Sequence, residues 1–282
     1  MPSDLTLIFD SVSEQGAPNH FRTMTGPWNT AIDRPPSRLG LDSLLASGSE
    51  QPSWSELAGI IRGLRKNVVV VDLRQESHAL LAGHPVSWYR VKNWANKGMS
   101  LAEVKADERG RIEALPVPGA ALVARVSAKD IEGRLTAVST EKIIYDQAQS
   151  EEQAAGSLGL GYLRIPVTDH SRPLDADVDR FILFIRNLAP DVWLHFHCHA
   201  GDGRTTTFLL LHDLLRNARA LDLEELAARQ HLLGGVDLLH RPHTGWKEAL
   251  YNERAAFVTR FAEYARTRDF KTVTWSEYLA GG

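Results

Sequence analysis

VWLHFHCHAGDGRTTTFLLL (192–211) is the stretch on which the rest of the chain is read. DVWLHFHC (191–198) has the apolar content of a strand. Five residues separate Cys198 from Arg204, and a helix is expected from about Thr205. A thiol would then sit at the C-terminal end of a strand and at a helix N-terminus, the edge at which open α/β sheets bind ligands. Gly201 and Gly203 let the loop turn tightly and bring backbone N–H groups close to a ligand. Successive N–H groups make an anion-binding nest, and the helix dipole adds positive potential. His199, Ala200, Gly201, Asp202 and Gly203 are therefore candidate phosphate contacts. The same field lowers the pKa of a cysteine thiol beside an arginine. Arg204 offers a planar fork for two phosphoryl oxygens. Thr205 or Thr206 could donate a hydroxyl to the sulfur and ease its departure. Together these groups suit phosphoryl transfer through a phosphocysteine, with Cys198, Arg204 and Thr205 as catalytic candidates. GxxxxGK[ST] is absent, and GDGRTT is not GxGxxG, so the loop is not read as a nucleotide cradle. Strand alternation puts His195 and His197 on one face and Cys198 on the other. A matching carboxylate or histidine spacing is not evident, so no metal site is expected, and the two histidines are read as satisfied by backbone and loop contacts.

Around this loop, strands and helices alternate. SWSELAGIIRGLRK (53–66) has helical spacing and a Ser53–Glu56 capping box, and VVVVDL (68–73) follows as a buried parallel strand. GYLRIPV (161–167) reads as a strand, DADVDRFILFIRNLA (175–189) as an amphipathic helix, and LEELAARQHLL as a helix capped by Asp222 and stopped at Gly234-Gly235. A long helix is expected from about 245 to 266. The first ~50 residues are rich in Pro, Gly, Ser and Asn and read as irregular, with short extended pieces at most. Residues 86–140 carry the turn signals NKG, ERGR, PVPG and EGR between short alternations such as ALVARVSA (121–128), the texture of a small antiparallel β-unit. The expected division is 1–85, an inserted β-subdomain at 86–140, and 141–282, within an α/β fold whose sheet is mostly parallel.

Composition limits the function classes. The chain has 282 residues, 43% hydrophobic and 24% charged, ordinary for a globular protein. A formal net charge of −3 disfavours bulk nucleic-acid binding. Cys198 is the only cysteine, which excludes an intramolecular disulfide and a multi-thiolate zinc site. The N-terminal stretch lacks a signal-peptide pattern, and no run approaches a membrane span, so a soluble protein is expected, in the cytoplasm or exported by a route this sequence does not carry.

HCxxGxGR followed by Thr resembles the signature loop of cysteine-dependent protein tyrosine phosphatases. HFHCHAGDGRTT, YLRIPVTDHSRP, VVDLRQESHALLAGHPVSWYRVKNWANKG and NHFRT, with ARQHLLGG, WKEALYNERAAF and WSEYL, resemble the bacterial protein-tyrosine-phosphatase-like phytases, which are inositol polyphosphatases. The likeness runs through most of the chain from about residue 19 and is weakest at ~100–150. It implies a phosphatase α/β domain carrying a small partial β-barrel, no cofactor, and a small polyanionic substrate. It implies Cys198 as nucleophile, Arg204 as phosphate clamp and Asp169 as general acid. An inositol alkoxide is a poor leaving group and needs that proton. Asp169 lies between a strand and Pro173, where a mobile loop is expected. The resemblance also implies substrate contacts at Arg22, Asp72, His170, Lys247 and Tyr251, and at Arg254, where the family often has Lys. Segment 241–271 holds seven Lys or Arg against four Asp or Glu. A family lysine from the barrel region falls on Lys142 or Arg134, without a choice between them. Two loop residues depart from the family. Asp202 brings a carboxylate where a small or apolar residue is usual, and His199 replaces a common acidic one. Phosphotyrosine proteins or phosphoinositides are the alternative substrates, and a weakly catalytic phosphate-binding module is the alternative to an enzyme.

Overall fold

Two kinds of hydrophobic pattern become two sheets. The computed structural model describes residues 5–10, 16–64 and 67–281; positions 65–66 of the first expected helix, and 1–4 and 11–15 of the irregular start, lie outside the described residues. In chain order the elements are β1 (Thr6–Phe9), β2 (Arg22–Thr23), β3 (Ala46–Ser49), α1 (Trp54–Leu64), β4 (Val68–Arg74), β5 (His78–Leu81), β6 (His84–Tyr89), α2 (Leu101–Glu113), β7 (Gly119–Lys129), β8 (Leu135–Tyr145), β9 (Ala148–Gln149), α3 (Glu151–Ser157), β10 (Gly161–Val167), α4 (Asp175–Arg186), β11 (Trp193–His197), α5 (Gly203–Asn217), α6 (Leu223–Leu232), α7 (Lys247–Thr267) and α8 (Trp275–Ala280).

The central sheet has the order β10-β4-β11-β3-β2. β10, β4, β11 and β3 are parallel, and β2 closes the edge antiparallel to β3. The run of β-branched residues in β4 is buried on both faces, as a parallel strand requires. Val71 and Leu73 enter the main core with α4 to α8, while Val70 packs with Leu57 of α1 and Ala155 of α3. Helices therefore flank both faces, as expected for this α/β class. α5 is buried along almost its whole length; its apolar run 208–211 joins the main core, and its buried polar side chains are hydrogen-bonded, as at His212 and Asp213.

The second sheet has the order β8-β7-β1-β6-β5-β9 and is antiparallel except for the β1–β7 pair. Its strands are drawn from 6–9, 78–89 and 119–149, so it is not confined to 86–140. Within 86–140 NKG (96–98) is a turn as read, but the turn reading of ERGR (108–111) is corrected by α2. Ser100 and Glu103 form a capping box that starts the helix, and Gly110 is carried inside it. β3 also stands where an irregular segment was expected. Its sequence, ASGS, lacks β-branched residues, but its small side chains let α5 approach closely. A Cβ on Gly48 would lie 2.7 Å from the Thr205 methyl.

Candidate active site

Cys198 ends β11 at the carboxyl edge of the central sheet and is 3% exposed. The loop that follows wraps back to the N-terminus of α5. Gly201 has φ +75, and a Cβ there would lie 2.4 Å from the Glu50 backbone nitrogen, so this position takes glycine. Thr205 Oγ1 donates to Cys198 Sγ at 3.2 Å. Thr206 instead meets Arg22 Nη2 at 3.1 Å and accepts from Val236 N. Thr205 is thus the threonine on the sulfur.

Arg204 is fixed before any ligand arrives. Its guanidinium donates to both oxygens of Glu76, at 2.7 and 2.9 Å, and to Val167 O at 3.1 Å. Asp169 Oδ1 lies 3.2 Å from Nη2. Burial alone would raise the Asp169 carboxyl, but Arg204 and His170 outweigh it and hold the group well below the ordinary carboxylate range. The Asp169 segment, expected as a mobile loop, is held in this conformation by hydrogen bonds with two neighbouring stretches. Asn93 Nδ2 donates to Asp169 Oδ2 at 3.0 Å, Trp94 Nε1 to its carbonyl at 2.9 Å, and Thr168 Oγ1 to Gln75 Oε1 at 2.6 Å. The stretch 91–94 after β6 supplies the clasp.

The Arg204–Glu76 pair continues into the second sheet. Arg74 Nε bonds Glu76 at 2.9 Å, Arg74 Nη1 bonds Asp10 at 2.6 Å, and Asp10 Oδ1 lies 3.0 Å from His199 Nδ1. Asp169, Arg204, Glu76, Arg74 and Asp10 form a chain of alternating charge that ends on the His199 ring, and Asp169 and His199 at its two ends border the cavity. The interior members are fully buried, so each charge depends on its neighbours. Glu76 would be raised by burial, yet Arg204 and Arg74 keep it well below its ordinary value.

The cavity above Cys198 has a volume of about 400 Å³. Asp169, His170, His199, Ala200, Asp202, Gly203, Arg204, Lys247, Tyr251 and Arg254 line it, whereas Gly201, a candidate phosphate contact, does not. His170 Nδ1 meets Tyr251 Oη at 2.9 Å, and burial pushes this imidazole down to about 4. Arg254, 4% exposed, donates to Ser171 O at 3.2 Å and lies against Gly203. Asp202 turns its carboxylate to the rim, with Oδ1 2.7 Å from His20 Nδ1.

Arg22 and Asp72, two expected substrate contacts, are absent from the cavity lining. Arg22 donates to His20 O, Gly201 O and Thr206, bracing the phosphate loop from behind, and burial lowers it to about 10. Asp72 points away from the cavity. It is fully buried, accepts from Arg74 N and Tyr162 Oη, and lies 3.1 Å from Arg164. The inward face of β4 leaves it no route to a ligand. The histidines flanking Cys198 also differ from the reading as backbone-satisfied. His195 is held by Ser47 and Ser49 hydroxyls, and His197 Nε2 lies 3.0 Å from Glu151 Oε1. Asp72, Glu151 and His197 offer ligand atoms within 4.8 Å of one another, a grouping that sequence spacing did not reveal. Their carboxylates are already met by Arg164, Tyr162 and His78.

Several site residues escaped the sequence reading. Lys129, at the end of β7, lines the cavity, whereas Lys142 and Arg134 are exposed and do not. Arg241 and His243 line it from the segment before α7, with the His243 ring 3.9 Å from that of Tyr251. Glu76, Arg74 and Asp10 gave one usable signal: charged RQE directly after an apolar strand that the core covers.

A strand ending in a buried cysteine, a glycine-bearing loop and an arginine opening a helix define the protein-tyrosine-phosphatase class of fold. The sequence model of the PTP-like phytases, described as "Inositol hexakisphosphate", matches residues 71–216. The chain belongs to this PTP-like phytase family. It is similar to the tandemly repeated PTP-like phytase of Mitsuokella multacida, with 32% identity and a TM-score of 0.88 over 98% of this chain and 49% of that one. A structure of the PTP-like myo-inositol phosphatase from the same organism, in complex with myo-inositol-(1,3,4,5)-tetrakisphosphate, matches equally. The PTP-like phytase of Bdellovibrio bacteriovorus is 34% identical, with a TM-score of 0.75 over 98% of this chain and 95% of that one. The effector protein HopD2 of Pseudomonas syringae pv. tomato is 30% identical over 86% of this chain and 52% of its own length. The chain thus spans about half the length of the effector and of the tandem phytase.

Proposed function

We propose that this chain hydrolyses phosphomonoesters of myo-inositol hexakisphosphate and lower inositol phosphates through a phosphocysteine. The observation that carries this reading is the wall of the cavity. Lys129, Arg241, Lys247 and Arg254 add four cations to Arg204, against the carboxylates Asp169, Asp202 and Asp237. A single phosphate is met by Arg204 and the loop; the outer cations suit a substrate bearing several.

In the first step the Cys198 thiolate attacks phosphorus, and the bond to the inositol oxygen breaks as Asp169 delivers its proton. Arg204 and the loop N–H groups take the charge spread over the equatorial oxygens. A phosphate dianion on Arg204 competes with Asp169 for the guanidinium and adds negative charge beside the carboxyl. Both effects raise its pKa, so the substrate helps to protonate its own acid. In the second step Asp169 takes a proton from water, the water oxygen bonds phosphorus, and the S–P bond breaks with Thr205 stabilising the thiolate.

Phosphate release from inositol hexakisphosphate, against a phosphotyrosine peptide, tests the reading. Preferred turnover of the inositol phosphate, persisting in EDTA and abolished by Cys198→Ser, is expected. A strong peptide preference, or a strict metal requirement, would overturn it.

A further inference from the structure

His199 sits directly after the nucleophile, and its ring is oriented from an unexpected quarter. Nδ1 lies 3.0 Å from Asp10, a residue at the end of β1 in the other sheet and 189 positions away. Asp10 is in turn fixed: fully buried, 2.6 Å from Arg74 and bonded by the Ser87 hydroxyl. Burial would raise its carboxyl, but Arg74 and His199 together hold it well below the ordinary range, so it is an anion whenever the site works. An anion opposite Nδ1 takes that N–H and fixes the ring plane. The other nitrogen, Nε2, has no hydrogen-bond partner among the described residues. The side chain is 19% exposed and forms part of the lining of the cavity over Cys198.

We propose that His199 is a phosphate-contacting residue, its Nε2–H donating to an oxygen of the phosphate held by the loop, with Asp10 as the positioning residue that aims it. The inference rests on the reading of this loop as a phosphate site, but not on the inositol assignment. The charges that face the ring come from four elements. Asp10 follows β1, Glu76 follows β4 and Asp169 follows β10; against these carboxylates stand Arg74 at the end of β4 and Arg204 in α5. Asp10 takes one ring nitrogen and the cavity faces the other, so the imidazole would stand between the Asp10 carboxylate and the bound phosphate. This arrangement makes the second sheet a contributor to ligand binding, reaching the loop through one carboxylate.

The test uses inorganic phosphate as the probe and the full chain. His199→Gln keeps a polar side chain of similar reach but removes the imidazole that would link Asp10 to the phosphate. It is expected to weaken phosphate binding, followed by calorimetry in a Cys198→Ser background, roughly tenfold or more. In the parent, the Nε2 resonance of labelled His199 should shift on adding phosphate, a response that a purely structural histidine would not give. Asp10→Asn, checked for folding by circular dichroism, should weaken phosphate binding less than His199→Gln does. Unchanged affinity in His199→Gln, or an unmoved resonance at saturating phosphate, would overturn the inference while leaving the phosphatase reading intact. A parent that binds no phosphate would overturn both.

Discussion

Asp169 is held on Arg204 at 3.2 Å, so the proposed acid and the proposed phosphate clamp occupy each other. A carboxylate held well below its ordinary pKa is a poor proton donor until a phosphate intervenes. Asp169→Asn should therefore lower kcat by about 10²- to 10⁴-fold, while substrate affinity holds or improves because Arg204 is freed. Single-turnover kinetics and calorimetry would separate the two effects. Unchanged turnover would move the acid elsewhere. Cys198 and Arg204 could be brought to one cavity from a single short loop motif, and Asp169 from the family resemblance. Glu76, Arg74 and Asp10 could not, because a buried carboxylate next to arginine looks in sequence like any surface ion pair. Only the fold reveals that these charges are 0% exposed and so depend on one another.

The glycines of the phosphate loop separate two kinds of constraint. Gly201 is backbone-limited: φ is +75 and a Cβ would strike the Ser49–Glu50 peptide. Gly201→Ala should lower stability by roughly 1–3 kcal/mol and be visible as a drop in Tm. Gly203 is limited by a side chain: a Cβ would lie 2.4 Å from Arg254 Nη1, the end of a flexible group. Gly203→Ala should leave Tm nearly unchanged and raise KM for a polyphosphate several-fold by displacing Arg254. Equal losses of Tm in both variants would contradict this division. At the same scale, β4, β10, β11 and α4 to α7 were readable from periodicity. α2 was obscured because ERGR looked like a turn, although Ser100 and Glu103 carried the stronger capping signal. β3 was obscured because ASGS has little β-propensity, and its place is set by the closeness of α5, a tertiary effect.

At the scale of the whole molecule, buried titratable groups set the response to acid. Burial pushes His195 down to about 3 and His212 and His170 to about 4. A histidine whose folded pKa lies below its unfolded value contributes stability that is lost as pH falls below about 6.5. Asp10, Glu76, Glu151 and Asp169, all held low in the fold, add a further loss below about pH 4. Asp177, raised by burial to about 6, and His78, raised overall by Asp72 and Glu108 against its own burial, act in the opposite sense. Between pH 6.5 and 4.5 the three depressed histidines outnumber these two groups, so Tm should fall across that window, and further below pH 4 as the carboxylates protonate; a flat or rising profile from pH 6.5 to 4.5 would refute this balance. The reach of Asp10 across to His199 also bears on the order in which the molecule can mature. During synthesis β1 emerges before its neighbours β6 and β7, which come some 75 to 120 residues later, and His199 later still. Loop closures of that length are slow to form relative to local helices. Recovery of turnover in a refolding experiment should then trail recovery of helical signal, and the catalytic centre is among the last parts of the protein to be completed.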